Sequence, residues 1–297
     1  MTALPPMVAT APTFDIQRPG PGAIPATPLV FASPHSGRIY PADMMAATTL
    51  DALTIRRSED AFVDDLIAAA PSLGATVISA RLARAYIDVN REPYELDASM
   101  YEGELPEFAR GRSARVAAGL GAIARIVAEG QEIYGRKLTF AEACGRIEAA
   151  HAPYHAALNQ LLEAARAAHG FAILVDWHSM PAAAARSGSG ACDMVLGDRF
   201  GAACGPALSA CVGGEMEAMG YRVARNAPYA GGYTTEHYGR PTQGIHALQI
   251  EISRGLYLDE ARLVPTEGFA KLRRDIQHLT TVLAGADWRA LRTTSKF

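Results

Sequence analysis

Cysteine is scarce in this chain of 297 residues. Four are present (Cys144, Cys192, Cys204 and Cys211), and no two stand in C-x-x-C spacing. Paired-thiol metal and redox motifs therefore have no basis, and the four read as buried free thiols of a cytoplasmic protein. A dominant charge sign is also lacking. The formal net charge of -3 predicts no broad attraction to nucleic acid or to an anionic membrane. No apolar run approaches the roughly 18 to 20 residues that cross a bilayer. The Gly-rich stretch Asn226 to Thr234 has neither G-x-G-x-x-G nor P-loop spacing, so it gives no nucleotide site. It reads equally as a tight loop or as close backbone approach to a small substrate. Residues 1–27 lack the basic start, apolar core and cleavage site of a secretory signal, and read as a tail or arm folded over the domain.

Apolar residues make up 49% of the chain and charged residues 20%, enough for a sizeable core. No linker forces a division, so residues 28–297 are expected to form a single domain. Apolar and β-branched runs predict strands over 28–33, 75–80, 85–89, 171–177, 193–196 and 246–252. Helical spacing predicts helices over 58–70 (N-capped by Ser58), 138–169 (broken near Pro153), 200–219 and 260–283. Residues 90–112 form an acidic irregular excursion, 181–192 a small-residue lid and 226–244 a loop. The alternation of strands and helices predicts an α/β fold, a mixed central sheet flanked by helices on both faces.

Two of these strands end alike. Leu29 to Ser33 leads to Pro34-His35-Ser36, and Phe171 to Trp177 leads to His178-Ser179. In open α/β sheets, chemistry gathers beyond the carboxyl ends of the strands. Each histidine alone also reads as a hydrogen-bonded structural residue; the pair points to one metal site. A catalytic zinc takes three protein ligands from His, Asp or Glu. His35 and His178 supply two, and Glu59 or Asp60 the third, although both carboxylates also suit a helix N-terminus. The reading requires ring nitrogens of His35 and His178 within about 5 Å of each other. Glu251 stands in an otherwise apolar strand, where a charge is costly unless paired or functional. It reads as a catalytic base, or as half of a buried salt bridge with Arg254. Arg91 and Asn90 offer donors for a carboxylate; Arg84 and Arg91 also read as ion-pair partners of Asp88 or Glu92. Ser36 and Ser179 are outside any G-x-S-x-G context, which disfavours a serine hydrolase.

Six segments together resemble the N-formylglutamate amidohydrolase family. They are Ser33 to Gly37, Arg57 to Asp60, Asp88 to Pro93, Asp176 to Met180, Asn226 to Tyr233 and His246 to Glu251. The resemblance implies an architecture like that of zinc carboxypeptidases and aspartoacylases. It implies one zinc ion held by His35, His178 and a carboxylate. The carboxypeptidase pattern His-x-x-Glu is not met, since Arg38 stands third after His35, so the carboxylate comes from elsewhere, with Asp60 preferred to Glu59. It also implies Glu251 as catalytic glutamate, Asn90 and Arg91 as the grip on a substrate carboxylate, and Arg84 as a residue that polarises the scissile carbonyl. The implied reaction is hydrolysis of a small N-acyl amino acid, foremost N-formyl-L-glutamate to formate and glutamate. The alternatives are another N-acyl amino acid, a short peptide end, or binding without turnover. The acidic stretch 101–107 would select against highly anionic substrates. No nucleic-acid or membrane partner is expected, and the oligomeric state is left open.

Overall fold

A computed structural model describes residues 12–20, 25–127, 130–186 and 191–291. Seven strands form one sheet: β1 (Phe14–Gln17), β2 (Leu29–Ser33), β3 (Thr76–Ala80), β4 (Ala172–Met180), β5 (Met194–Gly197), β6 (Val223–Arg225) and β7 (Ile245–Ser253). Their order is β1-β3-β2-β4-β7-β5-β6. β3, β2, β4 and β7 run parallel, while β1 is antiparallel to β3 and β5 to β7. The sheet is thus mixed, as the alternation predicts. β1 comes from the N-terminal segment and pairs Phe14 with Ala80.

Side chains alternate across a strand, so the central strands feed two cores. On one face Phe31, Ile173, Val175, Trp177, Leu248 and Ile250 pack with residues of helices over Pro206–Ala218 and Gly268–Gly285, among them Val212, Leu272 and Leu279. On the other, Val30, Ala32, Ala172, Leu174 and Ala247 meet Tyr154, Leu158 and Leu162. Those three belong to α2 (Ala152–His169), which comes after α1 (Phe140–Arg146). α1 opens on a capping box of Thr139 and Glu142. Between α1 and α2 lies a π turn, Ile147–His151, ahead of Pro153. A proline cannot donate to the helical ladder, so the expected break near it takes this form. Gly170, at φ +83°, closes α2 in the left-handed region that glycine adopts without a Cβ penalty.

Several expected elements differ. Residues 85–89 form turns and loop, with Tyr86 N bonded to Ala83 O. Their apolar alternation is real, but Ala85, Ile87 and Val89 enter three separate clusters instead of one sheet face. The expected helix over 58–70 shrinks to Val63–Leu66, with Phe62 at φ +64° before it and Ser58 not its cap. Here Asp60 N is tied to His35 O at 3.0 Å, and tertiary bonding overrides helical propensity. The third and fourth expected helices start late, at Pro206 and Gly268. Of the lid stretch, residues 187–190 lie outside the described residues. No helix among the described residues is long and apolar enough to cross a membrane.

Candidate active site

Period-two alternation builds the site. Ala172 and Leu174 face α2, so Asp176 and His178, farther along β4, share that face; in β7 Ala247 is succeeded by Gln249 and Glu251. In register, Asp176 pairs with Gln249 and His178 with Glu251. The apolar face thus turns polar toward the carboxyl ends of the parallel strands. His178 lies inside β4, which runs two residues beyond it, while His35 comes two residues after β2.

His35, Asp60 and His178 converge. His178 Nδ1 is 3.0 Å from His35 Nδ1 and 3.0 Å from Asp60 Oδ2, and His35 Nδ1 is 3.3 Å from Asp60 Oδ2. Ligands about 2.0 to 2.1 Å from a tetrahedral ion stand about 3.3 Å apart, so the three donor atoms fit one metal. The opposite nitrogens are already committed. His35 Nε2 meets Asp88 Oδ1 at 2.7 Å, and His178 Nε2 meets Asp176 Oδ2 at 3.0 Å. Carboxylates behind the rings favour the tautomer that would leave Nδ1 available to a metal ion. Glu59 is turned away, accepting from Tyr40 and Arg56.

The surroundings are buried and charged. Burial pushes Asp60 upward, but hydrogen bonds from His178 and His35 outweigh it and hold the carboxyl well below its ordinary range. Burial opposes the charged form of His178, yet Asp176 and Asp60 raise it well above an ordinary histidine. Both shifts record an environment that favours positive charge between these groups, the condition a cation meets. Arg254 pairs with Asp60 Oδ1 at 3.0 Å and with Ser179 Oγ at 3.2 Å, so the alternative Glu251–Arg254 bridge is replaced by Asp60–Arg254. Arg84 donates to Asp88 Oδ2 at 2.8 Å and reaches Asp60 Oδ1 at 3.9 Å. Glu251 accepts from Gln249 Nε2 at 3.0 Å. Burial, then Asp60, push its carboxyl up to about 7, against the pull of His178, Arg84 and Arg254.

Loop backbone completes the floor. Gln249 Oε1 accepts from Gly232 N at 2.7 Å, and Asn90 Oδ1 from Thr234 N at 2.7 Å. A Cβ on Gly232 would stand 2.5 Å from Asn90 Nδ2, so glycine here serves close packing against Asn90. Asn90 Nδ2 faces His178 Nε2 at 3.0 Å and Asp176 Oδ2 at 3.3 Å. Arg91 Nε and Nη1 donate to Leu120 O and Asn90 O. From α2 and the π turn, His155 Nε2 binds Val89 O at 2.7 Å and His151 Nε2 binds Arg91 O at 2.9 Å. These two histidines hold the segment that carries Asp88, Asn90 and Arg91.

Sequence reasoning passed over Asp88, Asp176, Gln249, Arg254, His151 and His155 as parts of the site. Asp176 carried a signal, the same one that marked Glu251: a charge inside an apolar strand. The helical histidines carried none, because their partners are backbone carbonyls 60 or more residues away in sequence.

Comparison with known proteins gives the family. Residues 27–258 match the N-formylglutamate amidohydrolase family. An N-formylglutamate deformylase of Pseudomonas putida is 30% identical over 260 residues, 86% of this chain and 89% of its own. The Pseudomonas aeruginosa deformylase is 30% identical over 239 residues, 78% and 83% of the two chains. The crystal structure of N-formylglutamate amidohydrolase from Ralstonia eutropha superposes with a TM-score of 0.86 at 39% identity, covering 92% of this chain and 98% of that one. The class is therefore that of an amidohydrolase with a central mixed sheet. Within that class, the chain belongs to the N-formylglutamate amidohydrolase family.

Proposed function

We propose that this protein is a zinc-dependent deformylase that hydrolyses N-formyl-L-glutamate to formate and L-glutamate. One observation carries the metal part: the mutual approach of His35, Asp60 and His178 to within 3.0–3.3 Å, each ring backed by a carboxylate. The substrate part is supported by the deformylase names of the relatives. His35, Asp60 and His178 hold the zinc ion. When bound, it supplies Lewis acidity toward the amide carbonyl and lowers the pKa of water at the site.

The remaining steps belong to the chain's own groups. Glu251 takes a proton from the attacking water as its oxygen bonds to the formyl carbon. Arg84, on the rim of the cluster, opposes the negative charge that develops on the carbonyl oxygen. The C–N bond then breaks, and Glu251 returns its proton to the leaving amine nitrogen. A carboxyl that titrates near neutrality suits both transfers. Arg91 holds the substrate carboxylate nearest the amide through Nη2, the edge its carbonyl bonds leave over. Asn90 stands beside it as a second donor, which requires its amide to exchange a contact with Asp176 or His178.

The test joins metal analysis to turnover. The purified protein is expected to contain about one zinc per chain, to lose formate release on chelation, and to regain it with zinc. Full turnover in a protein stripped of metal would overturn the proposal.

A further inference from the structure

Arg115 lies on the short helix Ala114–Ala117, beyond Arg91 in the irregular part of the chain. Its side chain is exposed, and Nη2 stands 3.5 Å from Gly231 O. Among the described residues it has no carboxylate partner. Gly231 precedes Gly232, whose N–H is bound by Gln249 and whose α-carbon lies against Asn90. The guanidinium therefore stands over the loop that floors the cluster, one peptide unit from residues touching Glu251 and His178. Arg91 feels it. Burial, together with the like charges of Arg84 and Arg115, outweighs Asp88 and holds the Arg91 guanidinium below its ordinary range. Arg91, next in the chain to Asn90 and with its Nη2 edge left over, and Arg115, over Gly231 of the loop that packs on Asn90, offer donors to an anion with two negative ends.

The acidic groups near Arg115 are each engaged elsewhere. A cleft of about 690 Å³ passes beside Arg115 and is lined also by Arg199, Tyr233 and Glu92. Arg199 is engaged by Glu236 at 2.8 Å. Glu92 accepts from Tyr94 N, and Glu95 from the Ser113 hydroxyl. In the acidic stretch, Glu104 and Glu107 are paired with Arg110 and Arg112. The expected bias against anionic substrates is thereby blunted.

We infer that Arg115 is a specificity residue that receives the distal carboxylate of a dicarboxylic N-acyl amino acid, while Arg91 holds the carboxylate beside the scissile amide. This rests on the deformylase reading and adds to it the origin of the preference for an acidic side chain.

The probe is the ratio of kcat/KM for N-formyl-L-glutamate to that for N-formyl-L-glutamine, its neutral isostere. The wild-type ratio is expected to be large. Arg115→Ala should lower it about 10- to 100-fold, mostly through KM for the glutamate substrate. Arg115→Lys should keep part of it, and Arg166→Ala, which breaks only a surface pair on α2, should leave it unchanged. A wild-type ratio retained by Arg115→Ala overturns the assignment and leaves the deformylase reading standing. A wild-type enzyme that cleaves both substrates alike also overturns it. Cleavage of neither substrate by zinc-loaded wild type overturns the deformylase reading itself, and the assignment with it.

Discussion

Glu251 shows how a single side chain is tuned by where its strand carries it. It sits 8% exposed in β7, beside His178 in register, with Asp60 among the charges around it. Burial and that carboxylate push it up to about 7, against the pull of three cationic neighbours. Replacing it with glutamine retains the hydrogen bond from Gln249 and removes the titrating oxygen. Glu251→Gln is expected to lower kcat by about 10²- to 10⁴-fold with zinc content unchanged, read by steady-state formate release together with metal analysis. At the same scale the histidines are legible in the sequence, because strand, histidine and serine recur in the same order twice. Asp60 is legible only as one of two adjacent carboxylates, and the backbone bond from Asp60 N to His35 O decides between them.

At the scale of elements, the segment 83–91 and the α1–π–α2 helix depend on one another. The segment has no ladder of its own and takes its shape from Ala122 O, which accepts from Asp88 N, and from His151 and His155. A π turn places His151 one turn before His155, with their rings 4.3 Å apart. Burial, then the neighbouring His151, depress His155 to about 3. The unfolded histidine binds a proton near pH 6.5, the folded one only near 3, so its contribution to stability is fully present above pH 6.5 and is lost as pH falls from there toward 3. Urea titrations at several pH values are expected to show this acid limb in wild type. His155→Gln keeps a donor for Val89 O but does not titrate, and should give a shallower limb; an unchanged limb would assign the acid sensitivity to other groups. Periodicity predicted α2 because its apolar face is continuous. It mispredicted 85–89 because alternation reports burial, and here burial is supplied by three clusters and not by a sheet.

Over the whole molecule, the sheet's carboxyl edge collects Asp60, Asp88, Asp176 and Glu251 against Arg84, Arg91 and Arg254, all in the interior or at its rim. Asp60 and two imidazoles, with donor atoms within 4.8 Å of one another, form a setting that suits a divalent cation. The ligands come from residues 35, 60 and 178, so an ion that binds them ties β2, the turn at 58–62 and β4 together. Zinc is therefore expected to stabilise the fold by mass action, about 2.7 kcal/mol when free metal is 100 times Kd. Thermal unfolding of chelated protein should shift upward as zinc is added, and His178→Ala should remove most of that shift.

The sequence by itself determined β2, β3, β4, β5, β7 and the long helices, since periodic apolar spacing acts locally, but it marked neither β1 nor β6. It also marked His35, His178, Asp60, Glu251, Arg84 and Arg91 as candidates. Only the tertiary structure decided which of these groups meet. Partners such as His35 with Asp88, His178 with Asp176, and Asp60 with Arg254 are selected by sheet register and by buried electrostatics. Those forces act between residues that come close only once the sheet has assembled, and no spacing along the chain encodes their distances.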